Sequence, residues 1–284
     1  MQYAVIPAAG LATRFLPASK AIPKEMFPIY DRPVIQHIVE EAIACEIDKI
    51  VFVSREGKES ILDHFDSTNP KFAPQNLSKD LQDTLHKLDS IVDVVSIRQK
   101  EAKGLGDAVL TGCKLFSDEP FAVILPDVMI VSRGAESCLQ KMVKLYKEHG
   151  ASVIALMHVP DEDRKKYGMA EGIIKGNIME IDRLIEKPEI NETNSNLAIV
   201  GRYIFTPSIT GIIKDTKPGK KNEIQLTDAM IELARREKMI GLILDDNDLV
   251  FDAGDITGYA LANAFVAAQK IPGFKDMITK LWEK

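Results

Sequence analysis

Between residues 7 and 25 the chain strings together Pro7-Ala8-Ala9-Gly10-Leu11-Ala12-Thr13-Arg14-Phe15-Leu16-Pro17, then Lys20 and Pro23-Lys24-Glu25. Small side chains at Ala8, Ala9 and Gly10 leave backbone N–H groups open to a base or a phosphate. Arg14 can fork onto a pyrophosphate, and Lys24 can set a point charge on another phosphoryl group. This is the equipment a nucleoside triphosphate needs. A lone glycine turn reads more readily as an ordinary strand-to-helix connection with solvated basic residues; the added Arg and Lys reverse that in favour of the phosphate cradle.

Two acids could complete such a site. Val123-Ile124-Leu125-Pro126-Asp127 ends a buried run on a carboxylate, and Phe251-Asp252-Ala253-Gly254-Asp255 does the same after Leu249-Val250. Mg²⁺ takes one or two carboxylates together with phosphate oxygens and water, so Asp127 and Asp252 would suffice. Each alone could instead start a turn or cap a helix. In Arg98-Gln99-Lys100-Glu101-Ala102-Lys103-Gly104-Leu105-Gly106-Asp107-Ala108, the Gln99 amide can read a pyrimidine edge. Gly104 and Gly106 would let a base or ribose come close, although a plain helix start explains the same letters. Leu184-Ile185-Glu186-Lys187-Pro188 sets an acid for sugar hydroxyls beside a base for a sugar phosphate, or else is a surface ion pair.

Rival phosphate loops do not fit. Gly10-Leu11-Ala12-Thr13-Arg14-Phe15 lacks the second and third glycines of a dinucleotide fingerprint, and Gly219-Lys220 is followed by Lys221 rather than Ser or Thr. The 36 basic and 42 acidic side chains give a net charge of -6, which argues against non-specific nucleic-acid binding. No run approaches the roughly 20 apolar residues of a membrane span, and no basic leader precedes the first strand. Cys45, Cys113 and Cys138 are far apart and read as buried structural thiols of a cytoplasmic protein. No His or Cys partner stands at zinc-site spacing from His37, and no histidine is assigned a catalytic role.

These side chains need a scaffold that brings distant segments together. Tyr3 to Ile6, Ile50 to Ser54, Val92 to Arg98, Phe121 to Leu125 and Ala151 to Met157 read as short buried strands. They alternate with apolar stripes of helical period at Val34, Ile38 and Ala42, at Leu139, Met142 and Val143, and over Ile224 to Arg236. That alternation predicts a sheet covered by helices on both faces, with ligands at the carboxyl edge. Asp66 to Asp89, with Pro70 and Pro74, reads as a surface excursion with a helix near Leu77 to Leu88. Tyr167 to Tyr203 reads as an antiparallel extension beside the main sheet, turning at Gly172 and Gly176. Ile256 to Lys284 reads as two helices broken at Pro272-Gly273, with Phe265, Phe274, Leu281 and Trp282 in packing or subunit contact.

Taken together, the motifs resemble the bacterial UTP-glucose-1-phosphate uridylyltransferases over nearly the whole chain. The matching stretches include Ala8-Ala9-Gly10 through Pro17, Lys20 through Met26, Arg98-Gln99-Lys100, Lys103 through Gly106, Leu125-Pro126-Asp127 and Glu186-Lys187-Pro188. Ser195 through Tyr203 and Glu223 through Ala229 separate this family from the related thymidylyl, guanylyl and adenylyl transferases better than the glycine loop does. The resemblance implies a three-layer α/β/α nucleotidyltransferase sandwich, Rossmann-like, with a mixed central sheet, a small antiparallel extension and C-terminal helices. It implies one domain over 1–284, with a nucleotide-binding part at 1–166, a sugar-binding part at 167–255 and a helical part at 256–284. The implied reaction joins UTP and glucose 1-phosphate into UDP-glucose and pyrophosphate, with Mg²⁺, in a homodimer or homotetramer.

By that likeness Ala8, Ala9 and Gly10 face the nucleotide, the last two contacting uracil through their backbone. Gln99, Gly104 and Gly106 hold base and ribose, with Glu25 beside them. Arg14 steadies the departing β and γ phosphates, Lys24 the α-phosphate and Lys187 the sugar phosphate. Gly168 and Glu186 meet glucose hydroxyls, and Asp127 and Asp252 hold Mg²⁺. Ala12, Asp107, Phe251 and Asp255 depart from the family's common letters. Ala12 replaces a glycine and costs on the order of 1 kcal/mol if the position needs positive φ; Asp107 brings a negative charge near the triphosphate. The same chemistry on dTTP or N-acetylglucosamine 1-phosphate, and a sugar-nucleotide-binding regulator without turnover, are the competing readings.

Overall fold

Residues Tyr3–Pro7 form a first strand, β1, whose alternate side chains enter two cores: Ala4 and Ile6 one, Val5 the other. A strand with apolar residues on both faces must be covered on both faces. In the computed structural model, which describes residues 1–66, 78–79, 93–116, 118–189, 191–219 and 222–283, that holds through the middle of the sheet, while the two edge strands are partly exposed. After β1 come the short hairpin β2 (Pro28–Ile29) and β3 (Arg32–Pro33), then α1 (Val34–Ile43), β4 (Lys49–Ser54) and α2 (Glu59–Phe65). β5 (Asp93–Arg98), α3 (Leu105–Gly112), β6 (Phe121–Ile124), β7 (Val128–Ser132) and α4 (Cys138–His149) follow. The remainder is β8 (Ser152–His158), β9 (Gly168–Lys175), β10 (Ile178–Glu186), β11 (Leu197–Phe205), α5 (Ser208–Asp215), α6 (Leu226–Arg236), β12 (Met239–Ile243), β13 (Asp248–Asp252), α7 (Ile256–Lys270) and α8 (Phe274–Trp282).

Among the described residues nine strands form one mixed sheet in the order β5-β4-β1-β6-β11-β8-β12-β10-β9. One face packs on α1, α4 and α7 through residues such as Ile35, Leu139 and Ala262. The other packs on α3, α5 and α6 through Val109, Ile213 and Leu233. This is the expected α/β/α sandwich. β5, β4, β1 and β6 are parallel neighbours, so the segments after Pro7, Ser54, Arg98 and Ile124 all leave one edge. Open α/β sheets bind ligands at that edge. Helix ends are fixed locally: Ser137 and Gln140 close a capping box on α4, and Asp255 accepts the Gly258 N–H at the start of α7. A cap of this kind contributes about 1 kcal/mol.

The structure departs from the sequence reading in the second half. The antiparallel extension is present as the hairpin β9–β10, but it continues the main sheet as its last two strands and returns to β11 through Met169 opposite Ala198. Gly176, at φ +64, makes its turn. Gly172 is no turn at all: it lies within β9, where a Cβ would collide with the Glu180 carbonyl next to a register irregularity in β10. Leu281 and Trp282 are exposed rather than packed within the chain. The proposed excursion over Asp66 to Asp89 lies outside the described residues except for Asp66, Ser78 and Lys79.

Candidate active site

The loop after β1 is open where it would meet a ligand. Gly10 is exposed, and a Cβ built on it would meet nothing within 4 Å. Ala9 is half-buried beside Arg55, Arg98 and Gln99, around a small cavity of about 170 Å³. Ala8 requires a correction: it is fully buried and its N–H donates to the Val53 carbonyl at 2.8 Å, so it backs the loop and has no donor left for a ligand. Ala12 adopts φ 53, ψ 32, the left-handed region that the departure from glycine put in question. The conformation is held from both sides, by Phe15 N–H at 3.1 Å and Ser19 Oγ at 2.7 Å, both donating to the Ala12 carbonyl. Phe15 itself is anchored edge-on against Phe27 and Tyr259.

At the base end, Gln99 Nε2 donates to the Asp107 carboxylate at 2.8 Å and to the Gly104 carbonyl at 3.3 Å. Both partners only accept, so the amide's nitrogen is committed to them and its oxygen is the group left over. Asp107 is therefore the anchor of Gln99 rather than a charge aimed at a triphosphate. Gly104 and Gly106 also prove to serve the protein first. Gly104 has φ +96, and a Cβ on either glycine would lie within 2.8 Å of the Ile224 carbonyl oxygen, which accepts the Gly106 N–H. Their small size admits the chain's own Glu223–Ile224 segment.

The acids meet at Gly254. A Cβ there would lie 2.6 Å from Asp127 Oδ2 and 2.8 Å from Asp252 Oδ1, so both carboxylates converge on one point. The register of β7 and β13 explains it, since Asp252 lies opposite Val128, the neighbour of Asp127. Burial, then the nearby Asp127 charge, raise the Asp252 carboxyl above the ordinary aspartate range. Two cations answer them. Lys24 is ion-paired with Asp127, and Arg14, largely exposed, stands 4.0 Å from Asp252. Arg14, Asp127 and Asp252 line a cavity of about 480 Å³ together with Tyr167 and Ile199.

Glu186 and Lys187 open on a different cavity of about 630 Å³, with Glu223, Gln225, Asp228 and Arg235. Gly168 faces them: its Cβ would lie 3.2 Å from Glu186 Oε2 and 3.4 Å from Thr227 Oγ1. Lys187 holds φ 45, with its N–H on the Tyr167 carbonyl at 3.1 Å and its Nζ 3.2 Å from Glu186. Buried Tyr203 bridges the two regions electrostatically: burial raises its phenol first, and the charges of Glu186 and Asp127 push the same way. Glu25 is not presented to a ligand. It is buried and paired with the equally buried Lys58 at 2.5 Å.

The sequence reading missed Lys58, Thr227 and the buried ion pair of Arg202 with Glu41. Arg202 carried a signal, being a charged residue inside the apolar run Leu197–Phe205. Cys113 and Cys138 are buried as expected, whereas Cys45 is half-buried. Burial pushes Cys45 and Cys113 to about 12 and Cys138 higher still.

An α/β/α sandwich with a small-residue loop, spaced cations and paired acids at one sheet edge defines a nucleotidyl-transferring class of protein. The nucleotidyl transferase family matches residues 3–269, and the chain belongs to it. Within that family, the UTP–glucose-1-phosphate uridylyltransferase of Pseudomonas aeruginosa is 42% identical over 265 residues, covering 92% of this chain and 94% of the relative. A crystal structure of UDP-glucose pyrophosphorylase complexed with UDP-glucose superposes with a TM-score of 0.86 at 38% identity, covering 95% of this chain and 99% of that one. The UTP-bound enzyme of Acinetobacter baumannii superposes with a TM-score of 0.83 at 32% identity, covering 100% of this chain and 99% of that one.

Proposed function

We propose that this chain transfers the uridylyl group of UTP to α-D-glucose 1-phosphate, giving UDP-glucose and pyrophosphate. The observation that carries the reading is the convergence of Asp127 and Asp252 at Gly254 with Lys24 and Arg14 beside them, in a chain about 40% identical to uridylyltransferases. The two carboxylates fit a divalent cation, and the site has the two-acid donor set that suits Mg²⁺. Asp127 and Asp252 would hold Mg²⁺, which when bound neutralises charge on the phosphates.

Uracil sits against the backbone of Ala9 and Gly10 and the free amide oxygen of Gln99. Lys24 turns from Asp127 to the α-phosphate, and Arg14 draws on the β and γ phosphates. Lys187 steadies the sugar phosphate while Glu186, with Gly168 leaving room, takes glucose hydroxyls. An oxygen of glucose 1-phosphate then attacks the α-phosphorus in line. The bond from α-phosphorus to the bridging oxygen breaks, and pyrophosphate leaves with those electrons. Positioning and charge suffice, and no protein nucleophile is used.

The division into a nucleotide-binding part at 1–166, a sugar-binding part at 167–255 and a helical part at 256–284 belongs to this proposal. So do a cytoplasmic location, supported by three unpaired cysteines, and a homodimer or homotetramer, supported by the exposed Met277, Leu281 and Trp282 of α8. Among the described residues no helix is long and apolar enough to cross a membrane. Pyrophosphate release across a panel of nucleoside triphosphates and sugar 1-phosphates, with and without Mg²⁺, tests the reading. UTP with glucose 1-phosphate is expected to win. Preference for dTTP or N-acetylglucosamine 1-phosphate would reassign the substrates, and no release with any pair would favour a binding regulator.

A further inference from the structure

Arg202 lies in β11 with none of its side chain exposed. Its guanidinium stays charged, so burial is costly unless its donors are met. All five N–H groups have acceptors. Nε and one Nη2 hydrogen go to the Glu41 carboxylate on α1, at 3.1 and 2.7 Å. The other three go to main-chain carbonyls: Val128 at 2.7 Å, Gly201 at 3.2 Å and Leu125 at 3.4 Å. Leu125 and Val128 bracket Pro126-Asp127, the turn that carries one of the two converging acids.

The same turn is seated on Gly201. That glycine has φ +65, and a Cβ would lie 3.1 Å from both Leu125 Cδ1 and Val128 Cγ2. The Leu125 N–H donates to the Gly201 carbonyl at 3.0 Å. Stability alone does not account for the charge, because buried ion pairs replaced by apolar residues of similar volume often leave a fold as stable or more so. What an apolar residue cannot do is grip carbonyls on both sides of Asp127.

We infer that Arg202, braced by Glu41, is a positioning residue that holds the Leu125–Val128 turn so that the Asp127 carboxylate faces Asp252 across a gap a divalent cation can bridge. This rests on the assignment of Asp127 and Asp252 to the metal. Lysine would not substitute, since three donors on a flexible stem cannot reproduce a planar fork that spans a carboxylate and three carbonyls.

The test is Mn²⁺ binding to the substrate-free protein, read by loss of the free-ion spin-resonance signal, alongside thermal unfolding. Asp127→Asn is expected to lose Mn²⁺; unchanged binding there would sink the metal assignment itself, whatever Arg202 does. With that arm met, Arg202→Lys is expected to weaken Mn²⁺ binding at least about tenfold, as loss of an orienting partner does at metal sites. The double substitution Arg202→Met with Glu41→Leu is expected to regain the wild-type melting temperature while Mn²⁺ binding stays weak. If binding returns together with stability, or if Arg202→Lys binds Mn²⁺ like the wild type, the pair is structural only and the inference is wrong. Glu41→Gln, which keeps the shape, replaces either variant that does not fold, with a several-fold weakening expected and wild-type affinity contradicting it.

Discussion

The loop after β1 and the acid turn after β6 leave the same sheet edge, yet they are held in opposite ways. The first is open: Gly10 faces empty space, Arg14 is 72% exposed and Ala12 sits in a left-handed conformation fixed by two hydrogen bonds. The second is built from below by a fully buried guanidinium, by Gly201 and by a strand pairing that brings Asp252 opposite Val128. The difference teaches how a charged site can be assembled cheaply. Two acids that repel one another need a rigid mount, whereas a loop that presents an exposed cation is held by local hydrogen bonds.

Substitutions on each side should break this contrast unequally. The largest effect belongs to the built side. Asp127→Asn should lower Mg²⁺-dependent turnover by about a thousandfold with the fold intact, measured as pyrophosphate release and circular dichroism. Gly254→Ala changes no charge, but its methyl would stand between the two acids. It should cost about a hundredfold in turnover and raise the Mg²⁺ needed for half-maximal rate. At the base end, Asp107→Ala leaves the Gln99 amide held only by the longer bond to the Gly104 carbonyl. Losing that one hydrogen bond should raise KM for UTP about fivefold with kcat little changed. The smallest effect is on the open side: Ala12→Gly relieves alanine of its left-handed backbone and should stabilise the protein by about 1 kcal/mol in denaturant titration.

What could be read from the letters follows from where the physics is local. Unbroken apolar runs in β1, β4 and β6 announce a sheet with two covered faces, and Asp127 and Asp252 announce themselves by ending apolar runs. Ala12 shows its strain as soon as the position is known to be left-handed. Gly104 and Gly106 were legible as close-approach positions, but not their partner, because Ile224 reaches them from far along the chain. Gly172 reads as a turn and is not one, since a glycine forced by a neighbouring strand's backbone looks the same in sequence as one that bends the chain. Glu25 is set beside the ligand by the family resemblance alone; only the fold reveals Lys58 as its buried partner. Arg202 was visible as a misfit, and its purpose required the geometry of five donors.

The central claim is that positioned charge alone, divided between a built acid turn and an open loop, carries a single displacement at the α-phosphorus. Stereochemistry tests it directly. With one diastereomer of UTP bearing sulfur on the α-phosphate, and glucose 1-phosphate as acceptor, the product is predicted to show inverted configuration at that phosphorus. Retention would mean two displacements through a covalent enzyme intermediate, and would contradict the account.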